Sequence, residues 1–205
     1  MPDPISWAYS WPYFAVFFAA AYLIGSVPFG LLLSRFMGFG DIRKIGSGNI
    51  GTINVLRTGN KKLAALTLVL DAGKGAVAVA VAQGYGPDMA VTAAAGAVIG
   101  HMAPVWLMFR GGKGVATALG ALLVIAWPVG LASCLTWLAV AGLSRTASLS
   151  SLLALAASPF YAWVLADPQR TELAAFLFVL VALAHHANIR RLVRREEPKI
   201  DLGKH

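Results

Sequence analysis

Between Gly114 and Leu143 the chain reads GVATALGALLVIAWPVGLASCLTWLAVAGL, an unbroken apolar run with Trp127-Pro128 at its centre. A helix that crosses a hydrocarbon core of roughly 30 Å needs about 20 apolar residues at about 1.5 Å each. The run is therefore either one long, kinked span or two short ones of about 13–15 residues. Proline removes a link from the helix ladder and disfavours helical geometry at the residue before it. Two short spans would need local bilayer thinning or a sheltered turn. Length alone leaves both readings open.

Charge separates them, because basic residues in short loops stay on the cytoplasmic side. Further spans are expected near 12–37, 61–83, 89–107, 149–166 and 172–189. If 114–143 is two spans, the protein is all-α and polytopic, with seven transmembrane helices, its N-terminus outside and its C-terminus cytoplasmic. Arg35, Arg43, Lys44, Arg57, Lys61, Lys62, Arg110, Lys113, Arg145, Arg190, Arg191, Arg194, Arg195, Lys199 and Lys204 then all face the cytoplasm, and Arg170 alone falls in an outer loop. A single span would put Arg145 and the whole tail outside. The seven-span reading is preferred.

Composition agrees, since 58% hydrophobic and 13% charged residues exclude an ordinary soluble domain, whose charged share is nearer a quarter. Apolar segments nearly consume the chain, so residues 1–205 read as a single membrane-embedded domain. The first apolar stretch, Tyr13 to Phe36, lacks a basic flank and is too long for a signal-peptide core, so it is expected to stay in the mature protein. The net charge of +8 follows the orientation rule, which leaves no call for a nucleic-acid partner. The one cysteine, Cys134, can form no internal disulfide and is expected to be buried and inert.

Two polar loops interrupt the apolar pattern. One is Gly46-Ser47-Gly48-Asn49-Ile50-Gly51-Thr52-Ile53-Asn54-Val55-Leu56-Arg57, the other Arg110-Gly111-Gly112-Lys113-Gly114. Glycines let main-chain N–H groups approach a phosphate, and helix N-termini add positive potential. Arg57 can grip an oxyanion bidentately, whereas Lys113 acts as a point charge. A nucleotide-binding loop is excluded, because Leu107 and Gly114 stand where that motif needs a glycine and a Ser or Thr.

A third polar constellation, His185-His186-Ala187-Asn188, closes the last span. His185 and Asn188 are three apart and are expected to share a helical face. Metal binding is not expected: His185, His186, His101 and His205 come with no clustered thiols or carboxylates. Asp71 and Lys74, at mid-depth in the second span, read as an internal ion pair. Arg190, Arg191, Arg194 and Arg195 look like an anionic-lipid contact, worth about 1 kcal/mol per cation.

Gly25-Ser26-Val27-Pro28-Phe29-Gly30, Gly100-His101 through Gly111-Gly112-Lys113-Gly114-Val115-Ala116-Thr117, and His185 with Asn188-Ile189-Arg190-Arg191-Leu192 together resemble the bacterial acyl-phosphate:glycerol-3-phosphate acyltransferases, the PlsY family. The resemblance covers nearly the whole chain. It implies a seven-helix enzyme of the bacterial inner membrane, with its active site facing the cytoplasm. Such an enzyme moves a fatty acyl group from acyl phosphate to the sn-1 hydroxyl of glycerol 3-phosphate, giving lysophosphatidic acid and phosphate in the first acylation step of phospholipid synthesis. By resemblance, Lys113, His185, Asn188 and Arg57 are the catalytic set. Ser47, Gly48, Asn49, Thr52, Asn54, Gly111, Gly112, Gly114, Thr117 and Ser148 hold phosphate and substrate. The implied partners are acyl phosphate, glycerol 3-phosphate and membrane lipids, with no cofactor, metal or obligate protein partner. The sequence departs from the family at Thr52-Ile53, where Ala-Thr is expected, and at Ala187, where an acidic residue is frequent. Any hydroxyl contact usual at position 53 is then absent or supplied by Thr52.

Acyl phosphate is already activated, so the chief requirements are proximity and stabilisation of developing charge. No Ser-His-Asp set is evident, and the expected reaction is direct attack by the glycerol hydroxyl without an acyl-enzyme. The base is either His185 or the substrate's own phosphate. The competing class is an organic-phosphate transporter. It fits less well, because the basic loops lie on one side and only Asp71 and Lys74 are charged at mid-depth.

Overall fold

The Trp127-Pro128 pair ends one helix and begins another. A computed structural model of the protein describes residues 7–200, and no strand occurs among them. Helix α6 (Val115–Ile125) stops at Ala126, whose φ of −154° and ψ of 81° leave the helical region. Helix α7 (Trp127–Ser144) then starts with Pro128 in its first turn, where a missing N–H breaks no helical hydrogen bond. The run 114–143 thus forms two helices, of 11 and 18 residues rather than the 13–15 each expected of two short spans. α6 spans only about 16 Å at 1.5 Å per residue, well short of a hydrocarbon core. α7 turns back closely against it: a β-carbon on Gly130 would lie 2.4 Å from the Leu123 nitrogen.

The other helices are α1 (Trp7–Gly25), α2 (Phe29–Phe36), α3 (Thr52–Leu56), α4 (Lys61–Gln83), α5 (Pro87–Met102), α8 (Ala147–Leu165), α9 (Pro168–Ala184) and α10 (His186–Val193). Among the described residues, five segments are long and apolar enough to cross a membrane: Tyr9–Phe36, Lys61–Gln83, Pro87–Leu107, Trp127–Ser144 and Ala147–Leu165. The pair α9 and α10 makes a sixth if its 69° bend lies within one span. The last span expected from the sequence, 172–189, is therefore not one straight helix, and its polar end turns away at His185. Lys204 and His205 lie outside the described residues.

Small residues set how closely the helices pack. A β-carbon on Gly100 would fall 2.1 Å from the Tyr22 carbonyl oxygen, and one on Gly120 would fall 2.0 Å from that of Ala72. The α1–α5 and α4–α6 contacts are thus backbone to backbone, the usual way to gain van der Waals energy where lipid offers no hydrophobic drive. Val79, Val98, Ala118, Leu122, Val129, Leu155, Leu177 and Val181 fill the interior. Large apolar side chains such as Val69, Leu138, Leu143 and Trp163 point outward. That pattern suits a protein surrounded by hydrocarbon. Inside, Asp71 and Lys74 pair at 2.9 Å, as their spacing implied.

Candidate active site

At one end of the bundle the polar loops meet around a cavity of about 1100 Å³. The first loop is built by Asn54, which is 2% exposed. Its Nδ2 donates to the carbonyls of Ile42 at 2.8 Å and Asn49 at 2.7 Å, and its Oδ1 accepts the Ser47 amide at 3.0 Å. Asn49 Oδ1 accepts the Gly51 amide at 3.2 Å. Gly46 passes this knot at φ +55°, where a β-carbon would strike Arg57 and Asn54 at 2.6 Å. Only glycine fits there. Asn54 is therefore committed to holding the loop, and Ser47, Asn49, Arg57 and Thr52 are its polar groups left to face the cavity. Ser47 and Arg57 are exposed, and Thr52 Oγ1 is buried with no hydrogen-bond partner. Farther out, Asp41 binds Arg43 and Arg35. The Arg43 hydrogen bond outweighs burial and, with Arg35, holds the Asp41 carboxyl well below the usual carboxylate range.

The second loop differs from the expected cradle. Gly111 donates its N–H to the Met102 carbonyl at 3.0 Å and Gly112 donates to the His101 carbonyl at 2.9 Å, so both amides are occupied by the C-terminus of α5. Neither glycine lines the cavity, nor does Gly48. Thr117 is fully buried, and its hydroxyl donates to the Asp71 carbonyl at 2.9 Å, behind the wall. What the loop does present is Lys113, followed by Gly114 in the left-handed conformation at φ +79° and the first turn of α6. The free N–H groups of that turn bring positive potential to the cavity.

The third group straddles the α9–α10 bend. His185 and Asn188 are 2% and 6% exposed and both reach the cavity. His185 Nδ1 is 2.8 Å from the Val181 carbonyl, which can only accept, so Nδ1 carries the proton and Nε2 is left as an acceptor. Its ring partner is thus a carbonyl rather than a carboxylate. Lys113 Nζ donates to Asn188 Oδ1 at 2.5 Å, while Asn188 Nδ2 donates to Glu197 Oε1 at 2.5 Å. A cation on one side and a carboxylate on the other fix which way this amide faces.

Glu197 was not singled out by the sequence. It accepts from Ser148 Oγ at 2.8 Å and from Arg191 Nε at 2.6 Å as well as from Asn188. The tail is pinned beside it by the Ile200 amide on the Arg145 carbonyl. Burial opposes ionisation of Glu197, but the three hydrogen bonds outweigh it and hold the carboxyl below its ordinary value. Lys113 shows the opposite balance. Burial disfavours its ammonium, Glu197 partly restores it, and repulsion from Arg191 and Arg57 leaves its pKa at about 8. Among the described residues, no three His, Cys, Asp or Glu side chains converge on a metal-sized site.

The cavity joins this polar end to apolar walls from Leu56, Leu68, Val115 and Trp137. A cluster of cations and hydroxyls opening onto a lipid-like slot suits a molecule with a charged head and an aliphatic body. The glycerol-3-phosphate acyltransferase family model matches residues 15–195. The chain belongs to that family.

Glycerol-3-phosphate acyltransferases of three bacteria are close relatives. The protein of Paramagnetospirillum magneticum is 58% identical over 180 residues, 87% of this chain and 90% of its own length. That of Rhodospirillum rubrum is 54% identical over 194 residues, 90% of each chain. That of Cereibacter sphaeroides strain ATCC 17025 is 54% identical over 180 residues, 87% of this chain and 86% of its own. Two crystal structures of PlsY, an integral membrane glycerol 3-phosphate acyltransferase, superpose well. Its glycerol 3-phosphate form gives a TM-score of 0.86 at 34% identity and its lysophosphatidic acid form 0.85 at 33%, each covering 92% of this chain and 96% of the other. The family match contains all three constellations and ends two residues before Glu197.

Proposed function

We propose that this acyltransferase moves a fatty acyl group from acyl phosphate to the sn-1 hydroxyl of glycerol 3-phosphate, releasing lysophosphatidic acid and inorganic phosphate. The observation that carries the reading is the convergence of Lys113, Arg57, Arg191, Ser148 and Asn188 on one cavity that Leu56, Leu68, Val115 and Trp137 also line. Two phosphates must meet there, and their mutual repulsion calls for several cations. The acyl chain lies along Leu68 and Trp137, and the basic end holds both head groups. The hydroxyl oxygen attacks the acyl carbonyl, the bond to the phosphate oxygen breaks, and the base that takes the hydroxyl proton returns it to the released phosphate. Lys113 neutralises the glycerol phosphate so that the two anions can meet, and Arg57 and Arg191 stabilise the departing charge, an interaction that strengthens as the bond breaks.

His185 Nε2 can accept the proton directly, or the substrate phosphate can take it. Substitution His185→Gln separates these, since loss of activity to near background assigns the base to His185 and substantial residual rate assigns it to the phosphate. We place the chain in the bacterial inner membrane with seven crossings and the cavity facing the cytoplasm. The distribution of basic residues supports that orientation. The experiment is to purify the protein in mild detergent and supply palmitoyl phosphate with glycerol 3-phosphate, palmitoyl-CoA serving as a parallel donor. Equal yields of phosphate and lysophosphatidic acid from acyl phosphate alone are expected. Phosphate without lipid would mean a hydrolase, and activity with palmitoyl-CoA would refute the donor assignment.

A further inference from the structure

Beside the Gly111-Gly112-Lys113 segment lies a charged cluster that the chemistry above does not use, two of whose members, Asp71 and His101, also line the cavity. Asp71, Lys74 and His101 are 2%, 5% and 4% exposed. Lys74 Nζ lies 2.9 Å from Asp71 Oδ1 and donates to the Val27 carbonyl at 2.9 Å, at the break between α1 and α2. The main-chain carbonyl of Asp71 accepts the Thr117 hydroxyl in the first turn of α6. His101 completes the group with Nδ1 at 3.7 Å from the same Asp71 oxygen.

A buried ion pair alone carries little meaning, because desolvation offsets most of its Coulomb gain. The imidazole is the informative member. Its Nδ1 is buried without a hydrogen-bond partner, and 3.7 Å is too long for one to Asp71. A polar ring placed there for stability alone would be poorly chosen, since an unmet buried donor or acceptor costs about 1–3 kcal/mol. Its other face explains the choice. A β-carbon on Gly112 would lie 2.0 Å from His101 Nε2, and the His101 carbonyl accepts the Gly112 amide at 2.9 Å. One residue thus holds Gly112 twice, by ring and by main chain, and the residue after Gly112 is Lys113.

We propose that His101, backed by Asp71 and Lys74, is a positioning residue that fixes Gly112 and through it the Lys113 ammonium against the glycerol phosphate. The proposal rests on the reading of Lys113 as a substrate-phosphate cation. Because the cluster also touches the α1–α2 break and the first turn of α6, it sets the loop relative to several helices at once. A catalytic charge displaced by about 1 Å can lose about a hundredfold in rate, so a residue that acts through Gly112 still governs turnover.

The test is a cycle of His101→Ala, Gly112→Ala and the double variant, with His101→Gln as the milder change and Lys113→Ala alongside. KM for glycerol 3-phosphate, KM for acyl phosphate, kcat and thermal unfolding are measured for each. His101→Ala is expected to raise KM for glycerol 3-phosphate about tenfold while KM for acyl phosphate stays within about twofold. Gly112→Ala pushes a methyl into the ring, and removing the ring should rescue it, so the double variant outperforms Gly112→Ala alone by about tenfold. Additive effects, equal shifts in both KM values, or wild-type kinetics in both His101 variants would overturn the proposal. So would failure of both His101 variants to fold, since the residue would then be structural. If Lys113→Ala keeps wild-type rates, the underlying reading of Lys113 fails; if it is inactive while the His101 variants are normal, only the present inference fails.

Discussion

Raising the pH should discharge Lys113 well before an ordinary lysine. Its ammonium titrates at about 8 rather than 10.5 because burial in the loop wall outweighs the attraction of Glu197, with Arg191 and Arg57 adding repulsion. The charged fraction in the free enzyme is then about nine-tenths at pH 7, about half at pH 8 and about one-tenth at pH 9. If the charge is required, kcat/KM for glycerol 3-phosphate falls about tenfold between pH 7 and 9. A bound phosphate restores the ammonium, so the decline in kcat at saturation starts at higher pH than that in kcat/KM. Stability moves the other way. The folded pKa lies below the unfolded one, so burying the charge weakens the fold below about pH 8, and that penalty disappears as pH rises from about 8 towards 10.5. Wild type should therefore gain thermal stability relative to Lys113→Met over the same window in which its activity drops, which separates discharge from alkaline unfolding. The assay follows lysophosphatidic acid formation from pH 6.5 to 10 at limiting and saturating glycerol 3-phosphate. A flat kcat/KM through pH 9 would refute the reasoning, as would an unchanged alkaline limb in Lys113→Arg, whose guanidinium stays charged.

Glu197→Gln keeps the size of the side chain but leaves one acceptor oxygen where the carboxylate had two, so either the Arg191 bond or the Ser148 and Asn188 bonds are lost and the Asn188 amide is less firmly held; kcat/KM should fall about 10–100-fold with the fold retained, and wild-type kinetics would show that the tail only anchors the chain. Thr52→Val removes a buried hydroxyl that has no partner in the protein, so thermal stability should hold or rise while KM for a substrate increases. An unchanged KM would show that the hydroxyl meets no ligand. Gly120→Ala drives a methyl to 2.0 Å from the Ala72 carbonyl and should destabilise by about 1–3 kcal/mol, whereas Gly142→Ala, with open space at its β position, should be neutral or stabilising; thermal unfolding of the two in one detergent compares them.

Much of the architecture was legible because it depends on local rules. Apolar length marks the long helices, Pro128 divides 114–143 wherever the flanking helices go, and a three-residue spacing puts Asp71 and Lys74 together. The site was legible as a list of polar residues but not as a set of roles. Asn54 and Ser148 look alike in sequence, each a polar residue among basic and glycine-rich loops. One is consumed in knotting its own loop and the other reaches Glu197 across the site. The same holds for Thr117, whose hydroxyl finds the Asp71 carbonyl on another helix, and for the amides of Gly111 and Gly112, taken by the end of α5.

By itself the sequence determined that this is a helical membrane protein with its basic chemistry gathered in a few loops, because burial of apolar length and the placement of charge are summed over short windows. It also carried the family motifs. Only the tertiary structure decided that His185 sits at a 69° bend rather than along a straight helix, that Glu197 enters the site, and that His101 presses on Gly112. Each of those depends on how the helices pack against one another. For Glu197 the deciding partner, Ser148, comes from a distant part of the chain, brought within 3 Å or so only when the helices have packed.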